Sequence, residues 1–126
     1  MTLPFTIEPA DGARITVLDE NVVDILLPSD DRIRRFNMDQ SFDPKHGDIL
    51  AENGFCVLIE VWKSGVRSTI LYDGGLTSHV PLHNARVMGV DLTRIDAVVL
   101  SHGHPDHFGG LAGVIEQVVQ CLGDRV

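Results

Sequence analysis

"IDAVVLSHGHPDHFGGLAGVIEQVVQCL", residues 95–122, joins an apolar run to a helical pattern through a segment rich in histidine. The apolar core of the run, residues 97–100, is unbroken, which is typical of a strand that is covered on both faces. Beyond the histidines, apolar residues recur at helical spacing and predict a helix with one face toward a core: Leu111, Val114, Ile115, Val118, Val119 and Leu122. The histidine segment is therefore predicted to lie where a strand gives way to a helix.

The polar side chains of this junction are candidate metal ligands. On extended backbone, residues two apart point to the same side, so His102 and His104 can converge on one cation, and Pro105 disfavours helical geometry at His104. Asp106 and His107 follow where the chain turns toward the helix, which suits a second metal position beside the first. Imidazole and carboxylate donors without thiolates indicate a catalytic zinc, iron or manganese centre. The alternative is a surface turn that happens to carry histidines.

Further strands and a helix are predicted upstream. "GFCVLIEVW" (54–62) and "RSTILYD" (67–73) have the composition of strands, and the short Gly-containing link between them is typical of a hairpin. "SHVPLHNARVMGVD" (78–91) predicts a helix that ends at Gly89. Near the start, "ARITVLDENVVDILLP" (13–28) predicts a strand, a turn and a second strand. Together these elements predict an α/β protein.

A long polar loop is predicted to follow at 29–48, and His46 within it, like His79, is interpreted as a surface residue. Cys56 and Cys121 each lie in an apolar pattern, so both are predicted to be small core residues in a reducing compartment.

Length and charge narrow the function classes. The chain of 126 residues fits one domain, and its net charge of -8 is concentrated in residues 1–60, with 12 acids against 5 bases. No basic run is interleaved with aromatic residues, so a nucleic-acid partner is not expected. The start has no basic leader, and no apolar run approaches the ~20 residues of a membrane span. We therefore expect a cytoplasmic protein that acts on a small molecule.

The string H-x-H-x-D-H at residues 102–107, with Gly109 and Gly110 behind it, resembles the signature of the metallo-β-lactamase superfamily. "ILYDGG" (70–75) is similar to an upstream Asp-x-Gly motif of that superfamily. The aspartate of that motif, here Asp73, supports the side chains that bind the metal and does not itself bind it. The alternative is a capping or turn aspartate before two glycines.

Similarity to the metal-dependent hydrolases related to β-ribofuranosylaminobenzene 5'-phosphate synthase runs through nearly the whole chain. It is carried by "ITVLDENVVDILLP", "AENGFCVLIEV", "LHNARVMGVDL" and "VVLSHGHPDHFGGL". Asn53 departs from these relatives, which often have histidine there. His83 and Asn84 match a recurrent pair, although helix packing explains them equally well.

The resemblance implies an αββα sandwich, of which residues 1–126 supply the N-terminal half of a single domain, a mixed β-sheet with flanking helices. It also implies a dinuclear centre of divalent cations, zinc with iron or manganese as alternatives. Its ligands would be His102, His104, Asp106 and His107, with Asp106 also orienting the nucleophile. In such a hydrolase a metal-bound hydroxide attacks an ester, amide or phosphoester. The residues that contact the substrate are not identified by this pattern.

The resemblance also implies that this chain is a fragment. Relatives complete the site with a downstream histidine, a bridging aspartate and a last histidine, whereas this chain has no histidine after His107 and only Glu116 and Asp124 as later acids. We expect weak metal binding by the chain alone, and an uncovered sheet face open to self-association. The alternatives are a synthase acting on a phosphorylated pterin precursor, and a non-catalytic remnant or interaction module. The di-iron redox branch is disfavoured, because it usually carries an acid at the position of His104.

Overall fold

The computed structural model describes residues 8–36 and 47–123, which form one sheet with helices. The elements are β1 Gly12–Asp19, β2 Cys56–Lys63, β3 Val66–Tyr72, α1 His79–Met88, a 3₁₀ turn Leu92–Arg94, β4 Ala97–Val99, α2 Pro105–Phe108 and α3 Leu111–Gly123. The strand order is β1-β2-β3-β4, and only β3 and β4 are parallel. The predicted α/β class with a mixed sheet is confirmed. Within the described ranges, none of the helices has the length and apolar character needed to cross a bilayer.

The hairpin between β2 and β3 has the predicted short connection. Ser64 and Gly65 both have positive φ, 51° and 80°, which is the conformation of a two-residue turn whose twist matches the flanking strands. The register then places Glu60 opposite Thr69 and Leu58 opposite Leu71. Strands β2 and β3 are thereby paired at the centre of the sheet.

Helix α1 ends where the sequence predicts. Gly89 has φ 67° and its N–H donates to the carbonyl of Arg86, while the N–H of Val90 donates to the carbonyl of Ala85 at 2.8 Å. This pair of hydrogen bonds is the Schellman arrangement that satisfies the last carbonyls of a helix. Because β3 and β4 are parallel, α1 serves as the crossover between them.

The core lies between one face of the sheet and the helices α1 and α3. Its buried members come from the sheet, both helices and the 3₁₀ turn: Leu18, Cys56, Leu58, Leu71, Ala85, Leu92 and Val114. The core position predicted for Cys56 is confirmed, and burial, with Asp19 and Asp73 nearby, raises the pKa of its thiol to about 12. Cys121 is only partly buried, and its sulfur accepts a hydrogen bond from Gln117, so it is not the buried core residue that was predicted.

The opposite face of the sheet is open. The register aligns Ile15 with Ile59, Ile59 with Ile70, and Ile70 with Ala97, and residues directly opposite one another share a face. Ile15 is 67% exposed and Val17 on the same strand is 50% exposed. An apolar row across the described sheet therefore faces solvent.

Strand β4 is also more exposed than predicted. Val98 and Val99 are each 41% exposed, so the prediction of a strand covered on both faces is wrong for this chain. The physical reason is the position of β4 in the sheet. It is the last strand of the described sheet, so no strand lies beside its free edge, and one of its two faces belongs to the open side of the sheet.

The second strand predicted within residues 13–28 is also wrong. Residues 21–28 form turns and irregular backbone, and Leu26 is 78% exposed. The Asp24 carboxylate accepts the N–H of Leu26 at 2.9 Å, a local hydrogen bond that competes with strand pairing. The following loop prediction is confirmed for residues 29–36, whereas residues 37–46, including His46, lie outside the described part of the chain.

Candidate metal centre

The histidine segment forms the loop between β4 and α2. His104 is extended, with φ -92° and ψ 144°, and Pro105 occupies the first position of the short helix, where its missing N–H costs nothing. The N–H groups of His107 and Phe108 donate to the carbonyl of His104 at 3.0 and 3.2 Å. The extended backbone expected at His104 is thus present, and Asp106 and His107 lie on the helical turn that follows.

Main-chain hydrogen bonds connect this loop to the segments that adjoin β2 and β3. The N–H of Gly74 donates to the carbonyl of His107 at 2.7 Å, and the N–H of Phe55 donates to that of Asp106 at 3.0 Å. Gly110 donates its N–H to the carbonyl of Gly75, and a Cβ at Gly110 would lie 2.5 Å from the carbonyl oxygen of Thr77. Glycine at position 110 is required by this close approach of backbones.

Asp73 lies behind the loop and is fully buried. Its Oδ1 accepts the Ser101 N–H at 2.7 Å, and its Oδ2 lies 2.7 Å from both Ser101 Oγ and His107 Nδ1. Burial opposes ionisation, but the hydrogen bonds from Ser101 and His107 outweigh it and lower the pKa of this carboxyl. An ionised Asp73 places the proton of His107 on Nδ1 and leaves Nε2 as the nitrogen available to a ligand.

The imidazoles of the loop contact one another. His102 Nε2 lies 3.0 Å from His104 Nδ1, and the rings of His102 and His107 are 4.1 Å apart between centroids. Asp106 Oδ2 lies 3.7 Å from His107 Nε2. The structure therefore brings the predicted ligands together. Among residues 8–36 and 47–123, however, no group of three or more His, Cys, Asp or Glu side chains is arranged to hold a metal ion, and ligation stays a prediction.

The chemistry of these donors nevertheless fits first-row divalent cations. They are imidazoles and a carboxylate, the ligands that zinc, iron and manganese accept. His102 and His104 are exposed, so their rings can turn away from one another without disturbing a core. His107 is only 21% exposed at its side chain and is oriented by Asp73.

Several other candidate residues have structural contacts elsewhere. Asn84 is buried and donates to the carbonyls of Leu18 and Leu50 at 2.8 Å, which supports the packing interpretation of this position. His83 Nε2 lies 2.7 Å from the Asp48 carbonyl oxygen. Three further positions that the sequence singled out are exposed: Asn53, His79 and Glu116. Asp124 lies outside the described residues.

Sequence reasoning missed two residues of this region. Ser101 bridges the site, because its hydroxyl lies 2.7 Å from Asp73 Oδ2 and 2.9 Å from His102 Nδ1. The feature of the sequence that could have identified Ser101 is its position between the strand and the first histidine. Asp19 lies in the stretch 13–28, where the sequence predicts a turn between two strands, but it is the last residue of β1 and is 1% exposed. No signal in its surroundings predicted that burial.

A mixed sheet with a histidine loop at the end of its parallel strand, backed by a buried carboxylate, defines an α/β protein with a candidate metal centre. Residues 50–119, more than half of the chain, match the family model of the metallo-beta-lactamase superfamily. The chain belongs to that superfamily, which confirms the resemblance seen in the sequence.

Two curated proteins of Methanocaldococcus jannaschii are similar to this chain. One is named 7,8-dihydropterin-6-methyl-4-(beta-D-ribofuranosyl)-aminobenzene-5'-phosphate synthase and is 28% identical over 88 residues, which cover 70% of this chain and 30% of that protein. The other, an uncharacterised protein, is 41% identical over 66 residues, which cover 52% of this chain and 24% of that protein. The chain thus matches less than a third of the length of each relative.

Proposed function

We propose that this chain contributes the histidine loop of a metal-dependent hydrolase with a dinuclear centre. Its substrate would be a cytoplasmic small molecule with an ester, amide or phosphoester bond. The observation that carries this proposal is the contact between the buried Asp73 carboxylate and His107 Nδ1, because such a partner fixes a ligating imidazole. Membership of the superfamily supports it, and the net charge of -8 favours a small molecule over nucleic acid.

The residues would divide between two cations. His102 and His104 would hold the first, and Asp106 with His107 would hold the second, zinc being the preferred ion and iron or manganese the alternatives. When bound, the cations supply an activated water and polarise the bond to be cleaved. Asp106 would accept a hydrogen bond from the attacking water and orient it, while Asp73 keeps the ring of His107 in one tautomer.

Isothermal titration with Zn²⁺ or Mn²⁺ tests the ligand assignment. We expect weak binding by the chain, a further loss in His107→Ala and in His102→Ala, and no change in His79→Ala, the matched control on α1. Equal binding by all of these proteins would contradict the assignment. Tight binding of two ions by the chain would contradict the expectation that it carries only part of a centre.

A second candidate is a synthase-type transferase acting on a phosphorylated pterin precursor. The name of the similar methanogen protein favours it. A chimera, in which residues 50–119 of this chain replace the matching segment of that protein, separates the two. Synthase turnover that disappears in Asp106→Asn would favour the transferase. Hydrolysis of an activated phosphodiester without synthase turnover would favour the hydrolase.

A further inference from the structure

Asp19 is a buried carboxyl group whose oxygens lack a well-formed hydrogen bond from any residue that the structure describes. It follows an irregularity in the β1–β2 register, and its side chain is among the fully buried ones. Within the described part of the chain, neither Oδ1 nor Oδ2 accepts a hydrogen bond of normal geometry. The Glu52 carboxyl and the backbone N–H groups of Glu20 and Glu52 are the polar groups near it. An ionised carboxylate that is desolvated and unpaired is strongly unfavourable, so this group requires a partner or a proton.

The acid that acts on Asp19 is Glu52, on the segment that precedes β2. Its Oε1 accepts the Thr77 N–H at 2.7 Å and its Oε2 accepts the Thr77 hydroxyl at 2.9 Å. A Cβ built on Gly75 would collide with Asp19 Oδ2 and lie 3.5 Å from Glu52 Oε1, so both carboxyl groups approach the same glycine. A Cβ on Gly54 would collide with Asp19 Oδ2 as well. The space around this oxygen is closed, which suits a proton better than a hydrated cation.

We propose that Asp19 is protonated and shares its proton with Glu52, and that this acid pair positions the loop of the candidate metal centre. The link to that centre rests on the proposed function, whereas the shared proton does not. The pair holds the segment before β2 against the turn after β3. From there Phe55 donates its N–H to the Asp106 carbonyl, and the Gly75 carbonyl accepts the N–H of Gly110.

The charges around Asp19 favour its protonated form. Burial, together with the Glu52 carboxylate beside it, raises the pKa of Asp19 to about 7. Glu20 follows it in the chain, and the buried thiol of Cys56 is opposite in β2. Helix α1 packs on β1 and presents the neutral side chain of Asn84 beside Leu18. None of these groups supplies a cation, so loss of the proton would leave two carboxylates side by side.

Carboxyl ¹³C NMR on the intact chain tests the shared proton. We expect one aspartate carboxyl to titrate near pH 7 in the unmodified chain. This titration should be absent from Asp19→Asn and present in the control Asp31→Asn, which replaces an exposed acid. The proposal is overturned if every aspartate titrates below pH ~5, the range of unperturbed carboxyl groups. It is also overturned if millimolar Mg²⁺ displaces the proton and binds at Asp19, because the site would then hold a cation.

The effect of pH on folding gives a second readout. The ordinary pKa of an aspartate is 3.8, so the folded chain binds the Asp19 proton more tightly than the unfolded chain does. The folding equilibrium constant should fall by up to about tenfold per pH unit between pH ~4 and ~7 and then level off. Asp19→Asn should remove this component. If that variant does not fold, the NMR titration of the unmodified chain decides.

Hydrogen exchange tests the positioning role. Protection of the Phe55 and Gly110 amides should fall as pH rises through about 7 in the unmodified chain and stay constant in Asp19→Asn. Unchanged protection in the unmodified chain would overturn the positioning role. None of the three pH-dependent readouts depends on a substrate or on a metal ion at the histidine loop, so failure of this inference and failure of the proposed hydrolase remain distinguishable.

Discussion

Replacing Asp73 with asparagine isolates the charge that orients His107. Asparagine has nearly the same shape, and it tolerates the left-handed backbone at this position, where φ is 60°. Its carbonyl oxygen can still accept the N–H of Ser101. Its amide nitrogen, however, replaces Oδ2 and becomes a donor that faces the donor nitrogen of His107.

The magnitude follows from the hydrogen bonds at Oδ2. The Ser101 hydroxyl can rotate and accept from the new amide, so only the bond from His107 at 2.7 Å is lost. A hydrogen bond to a charged group contributes about 1.5–3 kcal/mol, and we expect the free energy of unfolding to fall by that amount. Loss of a partner that orients a ligand should also weaken metal affinity about 10–100-fold.

Urea unfolding at neutral pH and zinc titration measure the two effects. Asp96→Asn is the matched control, because its carboxylate accepts one N–H, from Thr69 at 2.7 Å, in the middle of β3 and away from the histidine loop. That variant should lose less stability and no metal affinity. If Asp73→Asn is no less stable than Asp96→Asn and binds zinc as well as the unmodified chain, the orienting role of Asp73 is refuted.

Two further predictions concern packing around the site and the open face. Gly110→Ala should destabilise the chain by about 1–3 kcal/mol in urea unfolding, since its Cβ would collide with the backbone of Gly74. Gly103→Ala, where a Cβ meets nothing within 4 Å, should change little, and equal effects of the two would contradict the close-approach argument. Sedimentation velocity should show self-association that grows with concentration and declines in Val17→Lys, because Val17 lies on the apolar face and is 50% exposed. A chain that stays monomeric throughout would count against this surface as a self-association site.

The elements that the sequence predicted correctly are those that depend on residues close together in the chain. The hairpin, the end of α1 at Gly89 and the helix after the histidines all depend on turn residues or on periodicity within a few residues. The apolar run of β4 predicted a strand but not its exposure. Burial of a strand depends on which element packs beside it, and an apolar sequence does not contain that information.

The candidate site was predictable in its contiguous part. His102 through His107 lie within one loop, so spacing and the effect of Pro105 were sufficient to group them. Asp73 was found only through resemblance to a known motif. Asp19 was not found, because its burial depends on pairing with β2 and on two distant glycines, 54 and 75.

The topology of the sheet has a consequence for folding kinetics. Strands β2 and β3 are joined by a two-residue turn, so their pairing closes a very short loop, whereas β1 must join β2 across the long connection between Asp19 and Cys56. Closing a longer loop costs more entropy, so the hairpin should form before β1 docks on it. Changes in β1 should then act mainly on the unfolding rate and changes in the hairpin on the folding rate. The buried acid at the end of β1 would leave water only in the late steps of folding.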